Sequence, residues 1–284
     1  MNIALAKHLF SLLLFGSNGL VVSQIDLTSY ELVFLRCILG SLLLGAIVLA
    51  ARRPLGFLRE KRSALLIAAS GAAMGASWMF LFEAFTQIGV SFATLTYYCG
   101  PVILVALSPL LFQERLTRMK LIALGMVAGG AALLNGPLAV GGSGWGLFCG
   151  IMAALGYVAM VALNKKARGV SGMENTLLQL VAALVTVGAF LLWKQGLTLN
   201  IAGEDWPYIL VLGLVNTGYA CWLYFSSIGK LPVQTVAVCG YVEPLSAVLF
   251  SVALLGETMS LWQTLGAMLI FSGAVLSQMK RSQG

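Results

Sequence analysis

The sequence predicts an all-α, polytopic membrane protein of ten transmembrane helices arranged as two inverted five-helix repeats. Three observations carry this. The chain is 60% hydrophobic and only 10% charged, whereas soluble domains carry about 25% charged residues. No core hides that much apolar surface from water, so the solvent is lipid. Apolar runs near membrane-spanning length follow one another with short connections. Finally, one unusual stretch is written twice, as Leu95–Glu114 (LTYYCGPVILVALSPLLFQE) and Val238–Glu257 (VCGYVEPLSAVLFSVALLGE). Tyr98 and Pro101 in the first copy match Tyr241 and Pro244 in the second, and Glu114 matches Glu257.

A bilayer core takes about 20 apolar residues per helix. The runs are 4–22, 31–51, 64–86, 92–112, 118–135, 145–163, 174–193, 206–228, 235–255 and 261–279. The first begins like a secretory leader, with Lys7, the apolar stretch Leu9–Phe15 and small polar residues after it. The sixth run resembles it and lies deep in the chain, so the first is read as a retained helix. Topology follows from Lys and Arg. The loops after the second, fourth, sixth and eighth runs, with the two ends, carry fifteen cations, and the alternate loops carry Lys194 alone. The positive-inside rule then puts both termini on the cytoplasmic side. The net charge of +7 is thus a topology signal, and nucleic acid is not an expected partner. Five helices is an odd number, so repeats at 1–137 and 138–284 cross the membrane in opposite senses. That is the recurrent plan of secondary transporters, with the site near the midplane.

Glycines at four-residue spacing, Gly71 and Gly75, Gly125 and Gly129, Gly146 and Gly150, predict close helix approach. Gly141-Gly142-Ser143-Gly144 reads as a turn between halves, because no Lys-Ser/Thr follows to make a phosphate cradle. The five cysteines fall inside apolar runs without metal-ligand spacing and read as small buried hydrophobes. His8 is the only histidine. Neither a metal site nor a Ser-His-Asp triad has the residues it needs, so neither cofactor nor enzymatic activity is expected.

Glu243 stands near the middle of the ninth run, where an ionised carboxylate costs about 2.5–3.5 kcal/mol unless it meets water or a partner. It is expected to face a cavity as a contact for a substrate ammonium or a coupling proton. The alternative is a carboxyl that caps backbone freed by Pro244. The first copy has Gly100 at the equivalent position. Pro101 and Pro244 are expected to kink their helices at matched depths and widen the space between halves. Tyr241, Trp78, Phe82, Tyr98, Tyr97, Trp222, Tyr219 and Tyr157 are candidates for an aromatic pocket wall, with packing as the alternative for each. Trp145, Trp193, Trp206 and Trp262 sit at span ends as belt anchors. Asn18 and Asn216 are candidate hydrogen-bonding groups, while Asn164 reads as a helix end and Ser77, Ser91 and Thr94 are weaker candidates. Arg36 and Glu83 are expected to snorkel outward, a mutual salt bridge being the alternative. Glu114 and Glu257 read as turn features, with Thr117 and Ser260 capping the helices that follow.

Two segments complete the pattern. One is the proline-bearing apolar helix followed by Gln113-Glu114-Arg115-Leu116-Thr117; the other is Pro244 followed by Leu255-Gly256-Glu257-Thr258-Met259-Ser260, then Gly266 and Gly273. Both resemble the EamA-type repeat of the drug/metabolite transporter superfamily, ten-helix branch. The whole chain is similar to the bacterial aromatic amino-acid exporters (YddG-like). The resemblance implies a central cavity lined by the third, fourth, eighth and ninth helices. It also implies export of aromatic or neutral amino acids or related metabolites by alternating access. A proton-coupled exporter of lipophilic drugs or cations is the alternative. The expected partners are a small-molecule substrate and the lipid bilayer, with a monomer as the unit.

Overall fold

The computed structural model describes residues 3–50, 59–88, 93, 96–134, 144–170, 172–194, 196, 199, 201–255 and 260–278. Ser91, Thr94, Gly256, Glu257 and Gly141–Ser143 therefore lie outside the described residues. A helix occupies each of the ten expected positions. α1 runs Ile3–Gly16 and resumes as Asn18–Val22; α2 is Ser29–Ala50, α3 Lys61–Ile88, α4 Cys99–Phe112 and α5 Arg118–Leu134. α6 is Gly144–Lys166 and α7 Met173–Lys194. α8 comprises Trp206–Leu210, a π-helical segment Val211–Tyr219 and Ala220–Ile228. α9 runs Val233–Cys239 and Val242–Leu255, and α10 is Leu261–Gln278. Seven of these segments are long and apolar enough to cross a bilayer, and shorter apolar helices accompany them.

The halves interleave. α3 packs on α6 and α7, and its counterpart α8 packs on α1 and α2. α4 lies against α6, and α9 lies against α1. The pairs α2–α7, α4–α9 and α5–α10 are their own counterparts when the halves are exchanged. The principal contacts thus map onto one another under exchange of the halves, as a pseudo-two-fold axis requires. The main core is built between the repeats and draws buried residues from both.

Small residues set the closest approaches. A Cβ added at Gly71 would stand 2.2 Å from the Gln179 carbonyl oxygen and 2.8 Å from Ala182 Cβ. Gly75 meets Ala183, and Gly146 and Gly150 meet α3 and Thr96. Gly125 and Gly129 do not serve this purpose, since an added Cβ there meets no described atom within 4 Å. Their neighbour Gly130 makes the contact instead, against Gly266 and Ile270 of α10, as Gly273 does against α5. On a helix one residue turns the face by about 100°, enough to send Gly125 and Gly129 away from α10. Gly71→Val should therefore cost about 1–3 kcal/mol through overpacking against backbone, and Gly125→Val should be near neutral. Melting temperature and monodisperse yield in detergent measure both; equal losses would contradict this packing.

The breaks fall where the duplicated stretches predict bending. α9 is interrupted at Gly240–Tyr241, and Pro244 sits in the first turn of its second segment. Pro101 takes the same place after Tyr98 at the start of α4. A proline in a first turn forfeits little, because that N–H has no partner in the helix. The kink thus lies just before each proline. α1 is broken at Ser17, and Asn216 covers that break: its amide nitrogen lies 3.0 Å from the Leu14 carbonyl, 2.9 Å from Ser17 Oγ and 3.0 Å from Asn18 Oδ1.

Candidate binding cavity

Broken helices splay, and between them lies a cavity of about 490 Å³. Of the expected residues, Glu243, Trp78, Phe82, Tyr97, Tyr98, Tyr157, Asn18, Pro101 and Pro244 line it. It extends from mid-bundle, at Tyr157, Tyr224 and Gly240, toward the end where α1 finishes and α2 begins. Nine of its twenty-five lining residues are aromatic. Tyr97 stands edge-on to both Tyr98 (5.6 Å) and Tyr157 (5.8 Å), and Phe82 packs edge-on to Phe85 at 5.6 Å.

Four expected residues lie elsewhere. Tyr241 is 1% exposed and packs behind the wall, its hydroxyl donating to the Tyr98 carbonyl at 2.6 Å. Asn216 is buried on the α1 break. Tyr219 is exposed at the bundle surface and packs on Trp222 at 5.6 Å. The Lys7 ammonium lies 5.1 Å over the Trp222 ring. Asn164 lies in the last turn of α6, near the helix end as expected, and its side chain also exchanges hydrogen bonds with Asn175 of α7. Cys99 is exposed, unlike the other four cysteines.

Arg36 and Glu83 part company. Glu83 accepts from the Tyr30 hydroxyl at 2.6 Å and from Trp145 Nε1 at 3.2 Å, and pairs with Lys194 at 3.9 Å. Arg36 neither snorkels nor meets Glu83. It is 8% exposed and lines the cavity with Glu243. Its Nε donates to Thr217 Oγ1 at 2.8 Å, and its guanidinium lies 4.8 Å over the Trp78 ring. A lone arginine in an apolar run carries the same insertion cost as Glu243, and that cost was its sequence signal. Tyr224 and Phe225 line the floor without having been singled out. Below them His8 packs on Tyr224 at 5.1 Å, near Ser227 Oγ at 3.4 Å.

Glu243 has a structural reason to be single. Its counterpart Gly100 is pressed against α6, where an added Cβ would meet Tyr157 Cδ1 at 3.0 Å and the Ala154 carbonyl at 3.1 Å. A longer side chain there would require Tyr157 or the α6 backbone to give way.

The basic end of the bundle is tied together by side-chain contacts. Gln113 takes a left-handed conformation (φ 58°) at the end of α4. Beyond this turn the Glu114 carboxylate accepts from the N–H groups of Val233 at 2.8 Å and Gln234 at 3.4 Å, capping α9. Gln234 Nε2 donates to Ser108 Oγ at 3.2 Å, and the Lys165 ammonium donates to the carbonyls of Ile228 and Leu231. Both ends of the α8–α9 connection are thus clamped by charges of the appropriate sign.

The model of the EamA-like transporter family matches residues 3–136 and again 144–279. Among similar proteins is the uncharacterized transporter YxxF of Bacillus subtilis, 28% identical over 285 residues and covering 98% of this chain and 90% of the relative. An uncharacterized transporter of Archaeoglobus fulgidus is 26% identical over 272 residues, covering 96% and 95%. A solved crystal structure superposes with a TM-score of 0.83 at 20% identity, covering 97% of each chain, and shows the shared fold.

Proposed function

As the chain belongs to the EamA-like transporter family, within the drug/metabolite transporter superfamily, we propose that it exports neutral and aromatic amino acids or related metabolites across the bacterial inner membrane. It does so by alternating access, the two inverted halves rocking about the midplane cavity. One observation carries the reading: a single carboxylate, Glu243, set in an aromatic-walled cavity of about 490 Å³. The carboxylate suits an ammonium group and the rings suit an apolar or aromatic body. The positive loops lie on the cytoplasmic side, so the cavity faces outward in this conformation and the Glu114, Ser108 and Lys165 contacts hold the cytoplasmic side shut.

The test is uptake into proteoliposomes by a panel of amino acids, with and without a proton gradient. Aromatic and bulky neutral amino acids should accumulate above empty vesicles. If none moves, the substrate reading is lost. A lipophilic cation belongs in the same panel, because a lone carboxylate also suits proton-coupled export of cationic drugs. Arg36 in the same cavity weighs against that reading.

A further inference from the structure

We propose that Arg36 is the carboxylate-recognising residue of the cavity, so that the transported molecule is a zwitterion held between Arg36 and Glu243. This rests on the amino-acid export reading and narrows it to substrates with a free carboxylate.

Arg36 and Glu243 line one cavity. They do not touch: among the described residues the only ion pair within 4.0 Å is Lys194 with Glu83. Opposite charges left apart in an apolar surrounding each keep most of their desolvation cost. A ligand bearing both complementary charges on neighbouring atoms relieves both at once.

Arg36 is also held in a defined pose. Thr217 Oγ1 donates to the Leu212 carbonyl at 2.8 Å, five residues back in the π-helical segment, which turns the hydroxyl oxygen toward Arg36 Nε at 2.8 Å. The Trp78 ring covers one flat face of the guanidinium at 4.8 Å. With Nε engaged and one face stacked, the two terminal nitrogens remain as a planar fork, the geometry that takes a carboxylate in bidentate fashion. Neither the stack nor the Thr217 bond neutralises the charge. Trp78 and Phe82 lie on the same wall of α3, where a substrate ring anchored by its carboxylate would rest.

The experiment uses the full chain in proteoliposomes, with labelled phenylalanine in counterflow and three competitors: phenylalanine, its carboxamide and phenethylamine. The wild type should favour phenylalanine over both analogues by about tenfold to a hundredfold, the scale of one charge-assisted contact. Arg36→Gln should compress that preference to about threefold or less, while Arg36→Lys keeps part of it. Should Arg36→Gln fail to fold, the wild-type competition series decides alone, because carboxamide and amine competing as well as the amino acid overturns the proposal. Undiminished discrimination in folded Arg36→Gln overturns it too, leaving amino-acid export intact. If no amino acid moves, both readings fall together.

Discussion

Glu243→Gln should abolish gradient-driven transport while the protein still folds. The substitution keeps shape and hydrogen-bonding capacity and removes only the charge and the exchangeable proton. In this cavity that leaves Arg36 as the sole charged group among the lining residues. The substitution also removes the charged contact Glu243 would make with a substrate ammonium, and losing one partner of such a buried charge pair costs about 2–5 kcal/mol, which corresponds to a loss of about 30-fold or more in apparent affinity or rate. The twin position offers no rescue, since Gly100 is packed on Tyr157 and Ala154. Glu243→Asp, with the charge withdrawn by one methylene, should retain part of the activity. Uptake with and without a proton gradient, beside counterflow, separates the roles of the carboxylate. Loss of both assigns Glu243 to substrate contact. Loss of driven uptake with counterflow intact assigns it to coupling. Full driven transport by the glutamine variant would remove Glu243 from the mechanism.

The ten helices and the repeat were legible because they rest on composition and on a long-range duplication, which need no knowledge of packing. The cavity was legible where helices are regular or broken at a proline: Trp78 and Phe82 on α3, Tyr97, Tyr98 and Pro101 by α4, Glu243 and Pro244 on α9. It was illegible along α8. Asn216 and Tyr219 lie in the π-helical segment Val211–Tyr219, and Trp222 just beyond it. A π register adds residues to each turn, so side chains along and beyond Val211–Tyr219 drift progressively from the directions a 3.6-residue period assigns. Arg36 was misread for another reason. Its distance from the end of α2 is compatible with snorkelling, and only Thr217 and Trp78, arriving from α8 and α3, hold it inward. The Gly125 and Gly129 pair failed the same way, while Gly71 and Gly75 and Gly146 and Gly150 do make close approaches; spacing identifies a face but not whether protein or lipid covers it.

Tyr98→Phe and Tyr241→Phe should shift the conformational balance in opposite directions. The two tyrosines are separated by 143 residues and are counterparts across the repeat. Their rings pack on each other at 5.6 Å where both duplicated helices break. The pair is symmetric in position but not in bonding: Tyr241 donates its hydroxyl to the Tyr98 carbonyl. If alternating access exchanges the conformations of the two halves, the roles exchange as well, and in the inward-facing state Tyr98 donates to the Tyr241 carbonyl. Tyr241→Phe then removes a bond from the outward-facing state, and Tyr98→Phe removes its counterpart from the other. One buried hydrogen bond is worth about 1 kcal/mol, so each variant should move the ratio of states about fivefold. Gly19 lines the cavity, is exposed, and leaves an added Cβ free of contacts within 4 Å, so a cysteine introduced there (Gly19→Cys) serves as the reporter in a chain whose own cysteines are replaced. Its modification by an impermeant maleimide added outside should speed up in Tyr98→Phe, slow down in Tyr241→Phe, and return toward wild type in the double variant. Shifts of the same sign in both single variants would show that the tyrosines only fill space, and that the halves change state without trading this bond.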